Sequence, residues 1–197
     1  MGTFLMYIIW LGWVKSTQTS TLAFDITQLF PLLNHLLLSL TLNKIGFNHK
    51  VSKFFSNYLI SRKIQYMWNN LFSLFFEVNI GVRQGLALSS ILLGLYLSSL
   101  FYIFEKYVKN LKIPVFFLSF IDDGLLISQE KSFEKTNLFL FYSYNIVFSL
   151  LDQFGLAIEH KKTKVFYFSR SHRDFNLSLL DLSSIRGPTL TSRTIWQ

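Results

Sequence analysis

The stretch Phe116-Phe117-Leu118-Ser119-Phe120-Ile121-Asp122-Asp123-Gly124-Leu125-Leu126-Ile127-Ser128 constrains this chain most. Two apolar, strand-like runs flank a short acidic break that ends in glycine. The pattern predicts a tight β-hairpin whose turn is Asp122-Asp123-Gly124. One aspartate would satisfy such a turn. The second creates a like-charge pair, which costs free energy unless a cation or a proton neutralises it. The tip reads either as a turn alone or as the holder of a divalent cation, and the second reading needs a further ligand from elsewhere in the chain.

The totals narrow the chemistry. The 197 residues suffice for one domain with a real core, or for one lobe of something larger. There is no cysteine, so disulfides and thiolate metal sites are excluded and any metal must take oxygen or histidine ligands. A net charge of +8 points to a polyanionic partner, either nucleic acid or an anionic membrane surface. Hydrophobic residues make up 51% of the chain, with 22 Phe, which raises the membrane question. The run 4–14 is too short to span a bilayer and no small-residue cleavage site follows it. The run 84–104 is long and uncharged, but Gln84, Gly85, Ser89, Ser90, Ser98 and Ser99 interrupt it and no basic bias marks its ends. It is predicted as a buried helix, with a membrane span as the alternative. Met1-Gly2 lacks the Ser or Thr at position six that a myristoylation signal wants.

In chain order, 4–14 reads as a buried helix or strand. Asp25 closes the apolar run 21–26 and is the sole carboxylate before Glu77. It reads as a helix N-cap, as the partner of a buried cation, or as a metal ligand. Pro31 predicts a helix that runs to Ile45 and stops at Gly46. A second helix, 50–61, puts Val51, Phe54, Phe55, Tyr58 and Leu59 on one side. Lys50, Lys53, Arg62 and Lys63, with Lys44 and His49, form a basic patch that is either a solvated face or a phosphate contact. Runs 64–68 and 74–80 around Asn69-Asn70 predict another hairpin. The loop Gly81-Val82-Arg83-Gln84-Gly85 feeds a long helix, 88–109. Beyond the acidic hairpin lie a helix over 133–154 stopped by Gly155, a strand over 165–168 and irregular chain from Ser171. Alternating strands and helices place the fold in the α/β or α+β class. Asp25 is then the third ligand, on a strand beside the hairpin in one antiparallel sheet. Three converging carboxylates suit a hard divalent ion such as Mg²⁺, and two such ions about 4 Å apart can serve nucleotidyl transfer.

The order of segments resembles that of reverse transcriptases. Ala23-Phe24-Asp25-Ile26-Thr27-Gln28-Leu29-Phe30, Gly81-Val82-Arg83-Gln84-Gly85-Leu86-Ala87-Leu88-Ser89, Phe120-Ile121-Asp122-Asp123, and Gly155-Leu156 through Lys162-Thr163-Lys164 look like motifs A, B, C and D. They span 21–33, 81–90, 116–128 and 155–168, and the wording is nearest to non-LTR, LINE-type retrotransposons. The resemblance implies a polymerase palm in a single domain over 1–197, with an antiparallel sheet backed by helices. It implies RNA-directed DNA synthesis from an RNA template and a DNA primer, with deoxynucleoside triphosphates and two Mg²⁺ or Mn²⁺ ions, and no membrane partner. Asp25, Asp122, Asp123 and the Ile26 carbonyl match the metal ligands. Lys162 matches the lysine that protonates pyrophosphate, and otherwise reads as one solvated lysine among three. Phe30 matches the aromatic at the sugar 2′ position, and otherwise reads as a core residue. Gln84 and Gly85 match the loop on the incoming nucleotide and template. Lys50, Lys53, Arg62 and Lys63 fall to the nucleic-acid backbone.

Departures from the family pattern are equally specific. Ile121 stands where the family has a small alanine, and its branch crowds the nucleotide sugar. Ser90 replaces a proline, Leu86 a small residue, and Pro31-Leu32 a second motif A aspartate. Fingers segments before residue 10 and a thumb after 197 have no match. The reading is therefore a palm fragment, with a catalytically inactive nucleic-acid-binding remnant as the alternative. No signal peptide is seen, and the family implies the nucleus or a cytoplasmic ribonucleoprotein.

Overall fold

Alternating side chains along residues 18–27 and 115–130 build one sheet, and helices cover both of its faces. A computed structural model describes residues 2–60, 62–169 and 193–195, the last three by backbone only. The chain divides into two compact units.

The first unit comprises Met1–Thr27, Phe101–Gln153 and Ala157–Gln197. It opens with helix α1 (Gly2–Val14) and strand β1 (Gln18–Thr27). The second unit, Gln28–Leu100 with Phe154–Leu156, holds helices α2 (Leu29–Leu32), α3 (His35–Ile45) and α4 (His49–Leu59). It also holds short strands β2 (Arg62–Ile64), β3 (Met67–Trp68), β4 (Leu71–Phe72) and β5 (Phe76–Val78). Helix α5 (Ala87–Asn110) begins in the second unit and ends in the first. The first unit resumes with β6 (Val115–Phe120), β7 (Asp123–Glu130), α6 (Phe133–Gln153), β8 (Ala157–Ile158), β9 (Lys164–Phe168) and β10 (Arg193–Ile195).

Its sheet has the order β10-β9-β1-β7-β6, with β8 also paired to β1. All pairings are antiparallel except β10 with β9. β1 is central, and its side chains sort by parity. Ser20, Leu22 and Phe24 face α6: Ser20 Oγ lies 2.8 Å from Thr136 Oγ1, and Phe24 meets the edge of Tyr144. The odd-numbered face carries α1, whose Ile8 packs with Ala23, Leu125 and Ile127. The Ile8 carbonyl accepts from Gln129 Nε2 at 2.6 Å. With both faces covered, β1 is a nearly continuous buried run.

Several expectations change. The segment 4–14 is a helix, but Ile8, Ile9 and Gly12 are its buried residues, while Phe4, Met6, Tyr7 and Trp10 are exposed. The single helix expected from Pro31 to Ile45 is two. Leu33 and Asn34 are extended, and the Asn34 side chain caps α3 by accepting from the N–H groups of Leu36 and Leu37 at 3.0 and 3.1 Å. The break leaves the Leu33 carbonyl to accept from Gly81 N–H at 2.7 Å. On α4 the buried stripe is Ser52, Phe55 and Leu59, with Val51 and Phe54 exposed. The Asn69-Asn70 turn forms, both residues at positive φ, as the tightest hairpin turn requires, but the strand across it is β4 and not the expected run 74–80, which supplies β5 and pairs with β2. The irregular chain expected from Ser171 lies outside the described residues except at 193–195, which form β10. Helix α5 is long and apolar enough to cross a membrane by length and composition. Leu92, Leu93, Tyr96, Leu97, Leu100, Phe104 and Val108 form a one-sided buried stripe along it, the pattern of a helix set into a core.

Candidate active site

The acidic residues meet because β1 and β7 pair in a register that sets Asp25 opposite Asp123. Directly opposed residues of an antiparallel pair point to the same face, here the odd-numbered face of β1. Phe120 on β6 is opposite Asp123 in turn and 62% exposed. A row thus crosses the sheet, from Phe120 through Asp123 to Asp25. Asp122 sits next to it in the turn, and its carbonyl accepts from Ile26 N–H at 2.8 Å.

The turn itself differs from the expected Asp122-Asp123-Gly124. Phe120 pairs with Asp123, so the two turn residues are Ile121 and Asp122, and Asp123 and Gly124 belong to β7. The reason is tertiary. Gly124 pairs with Phe24, and the Phe24 ring lies directly on the glycine, where a Cβ would overlap it. Gly124 is therefore needed in the strand. The turn is left to Ile121, whose φ of 57° is left-handed. A β-branched residue there carries strain of about 1–3 kcal/mol.

Lys162 completes the row. Its Nζ donates to Asp25 Oδ2 at 2.6 Å; the Asp25 side chain is 18% exposed and that of Lys162 66%. These groups border a cleft of about 360 Å³, floored by Ala23, Phe24 and Leu125. Partial burial, then the carboxylates of Asp122 and Asp25, push the Asp123 carboxyl above its ordinary value, with Lys162 opposing. The hydrogen bond to Asp25, then its charge, raise the Lys162 ammonium above the usual lysine value.

No cluster of three or more His, Cys, Asp or Glu side chains able to hold a metal ion is present among the described residues. The expected three-carboxylate convergence is instead an opposed pair, Asp25 and Asp123, with Asp122 adjacent. The donor chemistry still fits a hard divalent cation. Burial and, after it, the neighbouring carboxylates raise Asp123, and a cation would relieve the repulsive part. Mg²⁺ typically takes one or two protein carboxylates and completes its shell with water and phosphate oxygens.

The other residues singled out from sequence fall in the second unit, except Ile26, whose side chain is buried in β1. Phe30 is half-buried in α2, and its carbonyl accepts from Val82 N–H at 2.7 Å. Gly81, at φ 74°, packs on Pro31 so closely that no Cβ fits, which fixes the start of the glycine loop. Gln84 and Gly85 are exposed beyond it, as are Lys50, Lys53 and Lys63. Arg62 differs. Its guanidinium donates to the carbonyls of Leu59, Ile80 and Gly81 and lies 3.2 Å from His35 Nε2, so it braces the loop. Two residues escaped the sequence reading. Phe120 would have been found had the turn been placed one residue earlier. Tyr144, fully buried with its hydroxyl 3.1 Å from His160 Nδ1, carried no signal among so many aromatics.

An antiparallel sheet with helices on both faces, bearing opposed aspartates at a hairpin tip, is a polymerase palm-like fold. The reverse transcriptase (RNA-dependent DNA polymerase) family matches over residues 12–189, and the chain belongs to that family. The family synthesises DNA on an RNA template and generally uses divalent metal ions. Among solved structures, apo telomerase of Candida tropicalis truncated from its C-terminal domain is similar, with a TM-score of 0.63 at 15% identity over 84% of this chain and 34% of that one. Telomerase of the same species with a TWJ fragment of telomeric RNA gives 0.62 at 15%, over 84% and 29%. Telomerase of Candida albicans with such a fragment gives 0.58 at 17%, over 75% and 27%. At these identities the likeness is one of fold. The chain covers 27% to 34% of the length of these structures. No curated protein sequence matches it.

Proposed function

We propose that the chain is the palm of a non-LTR retrotransposon reverse transcriptase, extending a DNA primer on an RNA template. The observation that carries the reading is the row of Asp123, Asp25 and Lys162 on one face of the sheet. Asp25, Asp122 and Asp123, with the Ile26 carbonyl, would hold two Mg²⁺ or Mn²⁺ ions, which supply activation of the primer 3′-hydroxyl and stabilisation of the departing pyrophosphate. Lys162 Nζ delivers a proton to that leaving group. Ile121 presses on the sugar, and by motif resemblance alone Phe30, Gln84 and Gly85 take the family's sugar, nucleotide and template contacts. Lys50, Lys53 and Lys63 bind backbone phosphates, with Arg62 supporting the loop beside them. Fingers and thumb come from other segments of a longer polyprotein, and the compartment is the nucleus or a cytoplasmic ribonucleoprotein.

The strained Ile121 and the absence of a three-ligand cluster among the described residues favour a second reading, an inactive nucleic-acid-binding remnant. A single-turnover assay separates the two. The 197-residue chain, rejoined to fingers and thumb segments, is mixed with a primed RNA template, Mg²⁺ and one deoxynucleotide. Addition that follows the template and disappears in Asp25→Asn and Asp123→Asn supports the polymerase. Binding of the hybrid without any addition supports the remnant.

A further inference from the structure

The chain places its own cation on the carboxylate that the proposed function gives to an ion. The backbone brings it there. β1 pairs with β8 at Ile26↔Ile158 and with β9 at Ala23↔Lys164. Between these points Phe24 and Asp25 face the segment 159–163, which is too long to lie flat against two residues. The excess coils into one 3₁₀ turn, His160–Lys162. Glu159 N–H donates to the Asp25 carbonyl at 2.8 Å and ties the entry to the turn. Tyr144 holds it from beneath, its hydroxyl reaching His160 and the buried Thr163. With the turn fixed, Lys162 Nζ needs only its own side-chain rotamers to reach Asp25 Oδ2 at 2.6 Å.

We infer that Lys162 and a divalent ion exchange on Asp25. The ammonium holds the carboxylate while no ion is bound, and is displaced as the ion enters, because two cations at contact distance repel strongly. Displacement releases Nζ toward the open side of the cleft. Lys162 thus sets the affinity of the ion site as well as serving it. The inference rests on the proposed function for the identity of the ion.

The test titrates the full chain with Mn²⁺ alone, read by electron paramagnetic resonance. Lys162→Met keeps the unbranched stem and removes the charge. It should bind Mn²⁺ roughly two- to five-fold more tightly than the parent, the range that a solvent-exposed ion pair supports. In an Asp25→Asn background the same change should have no effect. A second measurement needs no variant: acetylation of the parent, read by mass spectrometry, should show Lys162 becoming more reactive when Mn²⁺ is added. Equal Mn²⁺ affinity in parent and Lys162→Met, or Lys162 reactivity indifferent to Mn²⁺, overturns the exchange and leaves the ion site standing. Absence of any Mn²⁺ binding that Asp25→Asn removes overturns the site reading itself, and the exchange with it.

Discussion

Replacing Gly124 with alanine tests the packing that sets the acidic register. Phe24 and Gly124 are cross-strand partners, and an added Cβ would overlap the Phe24 ring, lying 2.9 Å from even its third-nearest atom, Cε1. The ring has nowhere to go. It is 3% exposed and lies against Phe117 and Tyr144, at centroid separations of 5.9 and 6.0 Å. Overpacking of this kind costs about 1–3 kcal/mol, and the lower chain entropy of unfolded alanine returns about 0.4–1 kcal/mol. The net loss is about 1–2 kcal/mol. For a chain of this size that lowers the melting midpoint by roughly 2–8 °C, measured by circular dichroism. Phe24→Leu in the same chain makes room, so the double variant should lose less than the sum of the singles. A midpoint unchanged or raised by Gly124→Ala would refute the account of why Gly124 sits in the strand.

Two further changes probe the site and its frame. Asp123 has a raised value in the folded chain, so its ionised form weakens the fold at neutral pH, and the deficit fades as pH falls toward the ordinary value of 3.8. Asp123→Asn should therefore stabilise the chain at pH 7 by about 0.3–1 kcal/mol, allowing for screening at an exposed site. The gain should shrink as pH falls toward 3.8 and be lost below it, and a lower midpoint at pH 7 would contradict it. Arg62 serves three carbonyls, so Arg62→Ala should cost about 1–2 kcal/mol. Arg62→Lys should recover little of that, since one ammonium cannot reproduce the planar fork. Weaker nucleic-acid binding at unchanged stability would instead assign Arg62 to phosphate contact.

The hairpin, the strand carrying Asp25, the Asn69-Asn70 turn and the stops at Gly46 and Gly155 were legible because each depends on local chemistry. What escaped depends on contacts distant in sequence. The Ile121-Asp122 turn overrides the strong Asp-Gly signal because a phenylalanine a hundred residues earlier needs the glycine beneath it. The break at Leu33 and Asn34 serves Gly81, whose N–H takes the freed carbonyl. Lys162 could be singled out by resemblance. Its contact with Asp25 follows from a mismatch in length between β1 and its two partners, which no local pattern announces.

The candidate site depends on Asp25 and Asp123 lying side by side, and the absence of cysteine makes this directly testable. Opposed antiparallel residues have Cα atoms about 4.5–5.5 Å apart, within the range a disulfide spans. The double variant Asp25→Cys with Asp123→Cys, purified and exposed to a mild oxidant, is read by intact mass and non-reducing peptide mapping. The register predicts near-complete intramolecular crosslinking of that pair and little with Asp25→Cys and Gly124→Cys, whose side chains point to opposite faces. Efficient crosslinking of the second pair, or none of the first, would contradict the register and the site built on it.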